Sequence, residues 1–157
     1  MATRHHVAIN LTRTISQVNP IQGELKLMSD YDTIRTYLTD LQLSIVSEDP
    51  EEKLFIVDDE ERGIKNLMVD CEEPIVIFEQ MIMPVPDKAG DMFRRLLQMN
   101  RTLVHGAFAI DEESKMILYR DTLQLENIDQ NEVQGTIEAL SLALAEHAAE
   151  LISFSRQ

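Results

Sequence analysis

Few side chains in this sequence are of a type that could do chemistry, and their spacing decides how each is read. Cys71 is the single thiol. It falls on the apolar side of a predicted strand, where a thiol is buried and inert rather than activated as a nucleophile. His5 and His6 are adjacent near the N-terminus. A zinc site needs about four ligands, so the pair reads as part of a basic arm. His105 precedes Gly106 at a strand start and reads as structural. His147 stands beside Glu146 on a predicted helix and reads as a surface or interface group. Asp58-Asp59-Glu60-Glu61 gathers four carboxylates but lacks the alternating spacing of a calcium loop, so a solvated turn explains it. Asp87 and Asp91 are one helical turn apart, the spacing at which two carboxylates could share acid–base work. Lys88, Arg94 and Arg95 follow closely and neutralise them.

No G-x-G-x-x-G, Walker A, C-x-x-C or H-E-x-x-H pattern is present, and the glycines at 23, 63, 90, 106 and 135 are too dispersed for a phosphate loop. No nucleophile–base pair is apparent. The expectation is a non-enzymatic protein with no cofactor and no metal.

Net charge narrows the partners. The chain carries 28 acidic and 14 basic residues, a balance of −14. A phosphate backbone or an anionic membrane surface would be repelled, so neither nucleic acid nor membrane is an expected partner. Neutral or basic polypeptides fit. One cysteine permits no intrachain disulfide and suits a reducing compartment. No apolar leader region opens the sequence and no run of 18 apolar residues occurs. A cytoplasmic location is the expectation. With 157 residues, 44% of them hydrophobic, one domain can bury a sound core.

The elements come next. Residues 1–28 hold Arg4, Arg13 and Lys26 against one acid, Glu24, and form a mildly basic, partly ordered arm. Val7, Ile9 and Leu11 alternate as in a strand, while Val7, Leu11, Ile15 and Val18 fall at helical spacing, so periodicity leaves the arm's form open. Residues 29–157 form the single domain. Ser29 caps a first helix, with Asp30 and Asp32 in its first turn. Its stripe of Tyr31, Ile34, Leu38, Leu41 and Ile45 runs to an end near Leu43. Three strands follow, Leu54–Val57, Ile64–Cys71 and Ile75–Met83, joined by short polar turns as an antiparallel meander. Asp87 opens a second helix. Gly106–Ile110 and Met116–Thr122 form a hairpin. Asp129-Gln130-Asn131-Glu132 is a capping box for a last helix that is apolar on more than one side. The order α-β-β-β-α-β-β-α points to an α+β fold, an antiparallel sheet packed with helices.

Two apolar features stand out. Met68, Met81, Met83, Met92, Met99 and Met116 spread over strands and the second helix. Methionine fills cores, and it also lines adaptable binding surfaces. The second helix combines Met and Leu with Arg94, Arg95 and Arg101, a composition enriched at interfaces.

The stretch Phe93-Arg94-Arg95-Leu96-Leu97-Gln98-Met99-Asn100, then Gly106-Ala107-Phe108-Ala109-Ile110-Asp111, then Leu125-Glu126-Asn127-Ile128-Asp129 before a long helix, resembles the YbjN-like family. It also resembles the related type III secretion chaperones of the Tir-chaperone kind. The likeness covers about residues 29–155. It implies a type III secretion chaperone-like fold, a homodimer with the second helix near its interface, binding of a polypeptide client over apolar patches, and no catalysis. Met92, Phe93, Leu96 and Leu97 are the expected dimer contacts, with Arg94 and Arg101 at their rim. The client-binding face is left unassigned. The alternative reading is a ligand-responsive regulator holding a small molecule between sheet and helices.

Overall fold

The computed structural model describes residues 28–113 and 115–156. The arm expected over residues 1–28, with His5 and His6, lies outside the described residues except for Met28. The element order is α1 (Asp30–Asp40), β1 (Ser44–Asp49), β2 (Leu54–Asp59), β3 (Ile64–Glu72), β4 (Ile75–Pro84), α2 (Met92–Asn100), β5 (Ala107–Ile110), β6 (Met116–Gln124) and α3 (Gln130–Phe154). The strands make one six-stranded sheet in the order β1-β2-β3-β4-β6-β5, with every neighbouring pair antiparallel. The α+β architecture expected from the sequence is the one observed.

One strand is additional. The first helix stops at Asp40 rather than near Leu43, and Ile45 belongs to β1 rather than to the helical stripe. The stop is a Schellman motif. Gln42 takes a left-handed conformation (φ 63°), the Leu43 N–H donates to the Leu38 carbonyl and the Gln42 N–H to the Thr39 carbonyl. Leu43 and Leu38 then meet in the core, the apolar contact that goes with this motif. The position usually holds glycine, so a glutamine there hid the helix end. The four-residue step from Leu41 to Ile45 survives the turn because Ile45 faces the core from the strand.

The other helix starts divide. Ser29 caps α1 by accepting from the Asp32 N–H at 3.1 Å. At α3 both halves of the capping box form: Asp129 accepts from the Glu132 N–H (3.0 Å) and Glu132 from the Asp129 N–H (3.1 Å). Asp87 caps nothing. It lies in the turns before α2, which begins at Met92 after Asp91, so the imagined Asp87–Asp91 helical pair does not exist.

All three helices pack on one face of the sheet. The core joins Phe55, Val57, Leu67, Val69, Cys71, Val76, Phe78 and Tyr119 to Ile34 and Leu38 of α1, Met92, Leu96 and Met99 of α2, and Val133, Ile137 and Leu140 of α3. Because side chains alternate along a strand, the opposite face holds the intervening residues. Among the described residues no helix covers it.

Candidate polypeptide-binding surfaces

The open sheet face carries apolar side chains on either side of an ion pair between Glu79 and Arg120. Registered rows place Leu54 beside Asp70 and Ile77, and Ile56 beside Met68 and Glu79. A third row sets Met81 by Leu118 and Ala109. Ile77 and Leu118 are only 5% and 4% exposed, yet neither belongs to the helix-packed core; neighbouring side chains of their own face shield them. Leu54, Ile56 and Met68 are half-buried and Met81 is 52% exposed. The polar groups of this face are mostly paired: Glu79 with Arg120, and Asp58 with Lys65 at 2.6 Å. Asp70 and Glu72, side by side on this face of β3, are not. Neither has an ion pair among the described residues, and for Asp70 burial, then the nearby Glu72 and Glu52, push the carboxyl above the ordinary aspartate range.

The second surface is the outer side of α2. Of the residues expected at a dimer contact, Met92 (0% exposed) and Leu96 point into the chain's own core. This corrects their assignment: a helix anchors to its sheet through its most apolar side, so these side chains are used within the monomer. Phe93 and Leu97 are 41% and 71% exposed, and Arg94 and Arg101 are exposed beside them. Arg95 instead bonds Glu150 of α3 at 2.7 Å, tying the helices together.

A third feature is a cavity of about 590 Å³ where the end of α3 meets β3 and β4, lined by Gln80, Met81, Met83, Leu144, Ala148 and Ile152 among others. From its mouth an apolar stripe of Ala145, Ala149 and Leu142 runs along the outer side of α3. The long helix is thus apolar on two sides, and only one is covered by its own sheet.

The residues of chemical type are dispersed. Cys71 is buried, and burial above all, then Asp70 and Asp30, raises its thiol to about 12, so it stays protonated. His147 departs from the expected surface position. It packs edge-on to Phe108, and its Nε2 is buried without a hydrogen-bond partner among the described residues. His105 acts through its backbone, accepting from the Tyr119 hydroxyl at 2.6 Å. Its ring approaches Asp121 at 3.8 Å, and Asp121 also accepts from Thr136 (2.8 Å). Thr136 is 1% exposed, so its hydroxyl closes a polar contact and is out of reach of any substrate. In the acidic turn Asp58 bonds Lys65 and Asp59 bonds Arg62. Among the described residues no three His, Cys, Asp or Glu side chains gather as metal ligands, and no helix is long and apolar enough to cross a membrane.

The methionines divide between the two roles that their type allows. Met83, Met92 and Met99 are core. Met68 and Met81 lie on the open face. That face was missed in the sequence, though a signal was there. Leu54–Val57, Ile75–Phe78 and Ile117-Leu118 are unbroken apolar runs, and an antiparallel strand solvated on one face should alternate.

The family model CesT_Tir_1, a type III chaperone family, matches residues 27–157. The chain belongs to this family. Among solved structures, YbjN from E. coli is similar at 17% identity and TM-score 0.61, over 76% of this chain and 92% of that one. A chain of the HopA1–SchA chaperone–effector complex aligns at 11% identity and TM-score 0.53, over 83% and 99%. A protein from Methanothermobacter thermautotrophicus aligns at 8% and TM-score 0.56, over 81% and 99%. At these identities the likeness establishes the fold. No curated protein matches the chain.

Proposed function

We propose that this member of the CesT_Tir_1 family is a non-enzymatic, chaperone-like protein that holds an extended segment of another polypeptide, and that it does so as a homodimer. The observation that carries the reading is the helix-free sheet face, where Leu54, Ile56, Met68 and Ile77 form an apolar patch around Asp70, which has no ion pair among the described residues, with Leu118 and Met81 beyond the Glu79–Arg120 pair. Such a patch takes up apolar client side chains, and the carboxylate selects a base among them. Backbone recognition would come from β1, whose outer side has no strand neighbour among the described residues. An extended client can add there as a further strand. The other edge, β5, is closed at Phe108 by Asn100. Copies would meet through Phe93 and Leu97, with Arg94 and Arg101 at the rim. The chain's net charge of −14 favours basic clients and keeps the complex soluble. The likeness to a chaperone–effector complex supports the same reading.

Affinity purification of the full chain with mass spectrometry of what it retains tests the client. Wild type should hold a defined polypeptide at a stoichiometric level, and Met68→Asp should lose it. Equal recovery by both chains removes the sheet face from the reading. Light scattering at micromolar concentration tests the dimer, and a monomer there overturns it.

A further inference from the structure

We infer that the cavity between the end of α3 and strands β3 and β4 is a binding site for an uncharged aliphatic small molecule with an amide head. The site goes beyond the polypeptide-binding surface proposed above, with which it shares Met81. Its origin lies in the sheet. The β3–β4 register runs from Glu72 and Ile75 to Met68 and Glu79 and stops there. Both strands reach further. Ile64, at the start of β3, still pairs with Asp59 of β2, and Pro84, at the end of β4, still pairs with Met116 of β6. The two central strands therefore part at this end while each keeps its outer neighbour. Two irregularities accompany the parting: Asn66 of β3 is left-handed (φ 50°), and the register of β4 shifts between Met81 and Met83. The cavity of about 590 Å³ lies where the strands part. Small-molecule sites commonly span about 300–1,000 Å³.

Gln80 gives the site its polar end. It is 5% exposed, and its side chain crosses the gap that the ladder leaves. Oε1 accepts from the Lys65 backbone N–H at 3.0 Å, and Nε2 donates to the Gly63 carbonyl at 3.5 Å, the long limit for such a bond. Gly63, Lys65 and Gln80 all line the cavity, so this amide forms part of its wall. A primary amide offers two N–H donors and two acceptor lone pairs. Here one N–H is held only at long range, the other has no acceptor among the described residues, and Oε1 keeps one lone pair. A buried amide left in this state is costly. A ligand amide answers both needs, its carbonyl accepting and its N–H donating. A carboxylate could only accept, and an ammonium could only donate.

The rest of the wall selects an uncharged aliphatic body. Met83, Leu144, Leu151 and Ile152 supply apolar contact from β4 and α3. The chain has 28 acidic residues, yet among the described residues none of them lines this cavity. Its one charged lining residue, Lys65, already bonds Asp58 at 2.6 Å. Ser155, at the C-cap of α3, stands where a helix end carries partial negative charge. A cation finds no counter-charge here, and an anion meets an occupied lysine and an unfavourable dipole.

Titration of the full chain with octanamide, followed by NMR of carbon-labelled methionine methyl groups, tests the site. Met81 and Met83 line the cavity, so their resonances should shift, with a Kd of about a millimolar or tighter. Met92 and Met99, in the core under α2, should stay in place. Octanoate and octylamine at neutral pH should bind about tenfold more weakly or worse, because each carries an unmatched charge into an apolar site. Ala148 is exposed at the cavity wall, so Ala148→Trp should fill the space and abolish the shifts while Met92 and Met99 report an intact fold. Gln80→Glu keeps an acceptor for the Lys65 N–H and removes the donor, so it should lose octanamide and gain octylamine. A purely structural glutamine would not exchange one ligand for the other. Absence of shifts at Met81 and Met83 overturns the inference. So does equal binding of octanamide, octanoate and octylamine, or an unchanged response in Ala148→Trp, which would place the ligand elsewhere.

Discussion

Asn100, the last residue of α2, hydrogen-bonds both backbone groups of Phe108: the Phe108 N–H donates to Oδ1 at 2.7 Å, and Nδ2 donates to the Phe108 carbonyl at 3.0 Å. The side-chain amide therefore stands where a neighbouring strand would be and closes the β5 edge at its middle. Unpaired edge groups invite pairing between chains. Asn100→Ala should cost about 1–3 kcal/mol in urea unfolding, the range for backbone groups that lose their partners. Light scattering on the same variant should show growth of large species on storage. Unchanged stability and no association would mean that water replaces the amide without loss.

Much of the architecture was legible because it rests on local rules. Ser29 and Asp129 announced two helix starts with their own side chains, and the meander followed from short polar turns. What escaped depended on conformation that residue type does not disclose. A glutamine took the left-handed position that ends α1, so β1 was hidden. Met92 and Phe93 are adjacent and both apolar, and only the docking angle of α2 decides that the first is core and the second is surface. The open sheet face required knowing that all three helices choose the same side.

Gly106 and Tyr119 constrain one another. Gly106 is left-handed (φ 64°), and a Cβ built there would lie 2.4 Å from the Tyr119 ring and hydroxyl. The ring is fully buried and held by its bond to the His105 carbonyl, so it cannot yield. Gly106→Ala should destabilise by about 2–4 kcal/mol, combining overpacking with left-handed strain. Tyr119→Phe keeps the ring and drops one hydrogen bond, for a loss of about 1 kcal/mol. Denaturant midpoints of the two variants check the ranking, and a milder Gly106→Ala would show that the loop can shift away from the ring.

Asp70 gives a pH dependence with a definite sign. Desolvation first, and Glu72 and Glu52 next, raise its folded-state pKa, with Arg120 offsetting part of the effect. In the window between the unfolded value of about 3.9 and the raised folded value, the native state binds more protons than the unfolded chain. Stability therefore falls as pH rises through that window, and the full cost is present at neutral pH. Asp70→Asn should raise Tm by about 1–2 °C at pH 7. The gain should fade as pH falls through about 4 and vanish well below it, where the wild-type carboxyl is neutral in both states. Melting curves of both chains across pH test this, and a gain that persists in acid would assign the effect to packing.

Met92 and Leu97 separate folding from association on one helix. Met92 is fully buried beneath α2, so Met92→Ala should lose about 2–5 kcal/mol in urea unfolding. Leu97 is 71% exposed on the outer side. A charge at that position costs a single chain little, but in the centre of a dimer contact it would be desolvated without a partner. Leu97→Asp should therefore leave unfolding of the dissociated chain within about 0.5 kcal/mol of wild type while light scattering shows conversion from dimer to monomer. Arg101→Glu, at the rim, should weaken association less and in a salt-dependent way. If Leu97→Asp remains dimeric, the copies meet elsewhere. The exposed stripe of Leu142, Ala145, Ala149 and Ile152 on α3 would then be the surface to change next, because it is the other helix face left apolar without cover among the described residues.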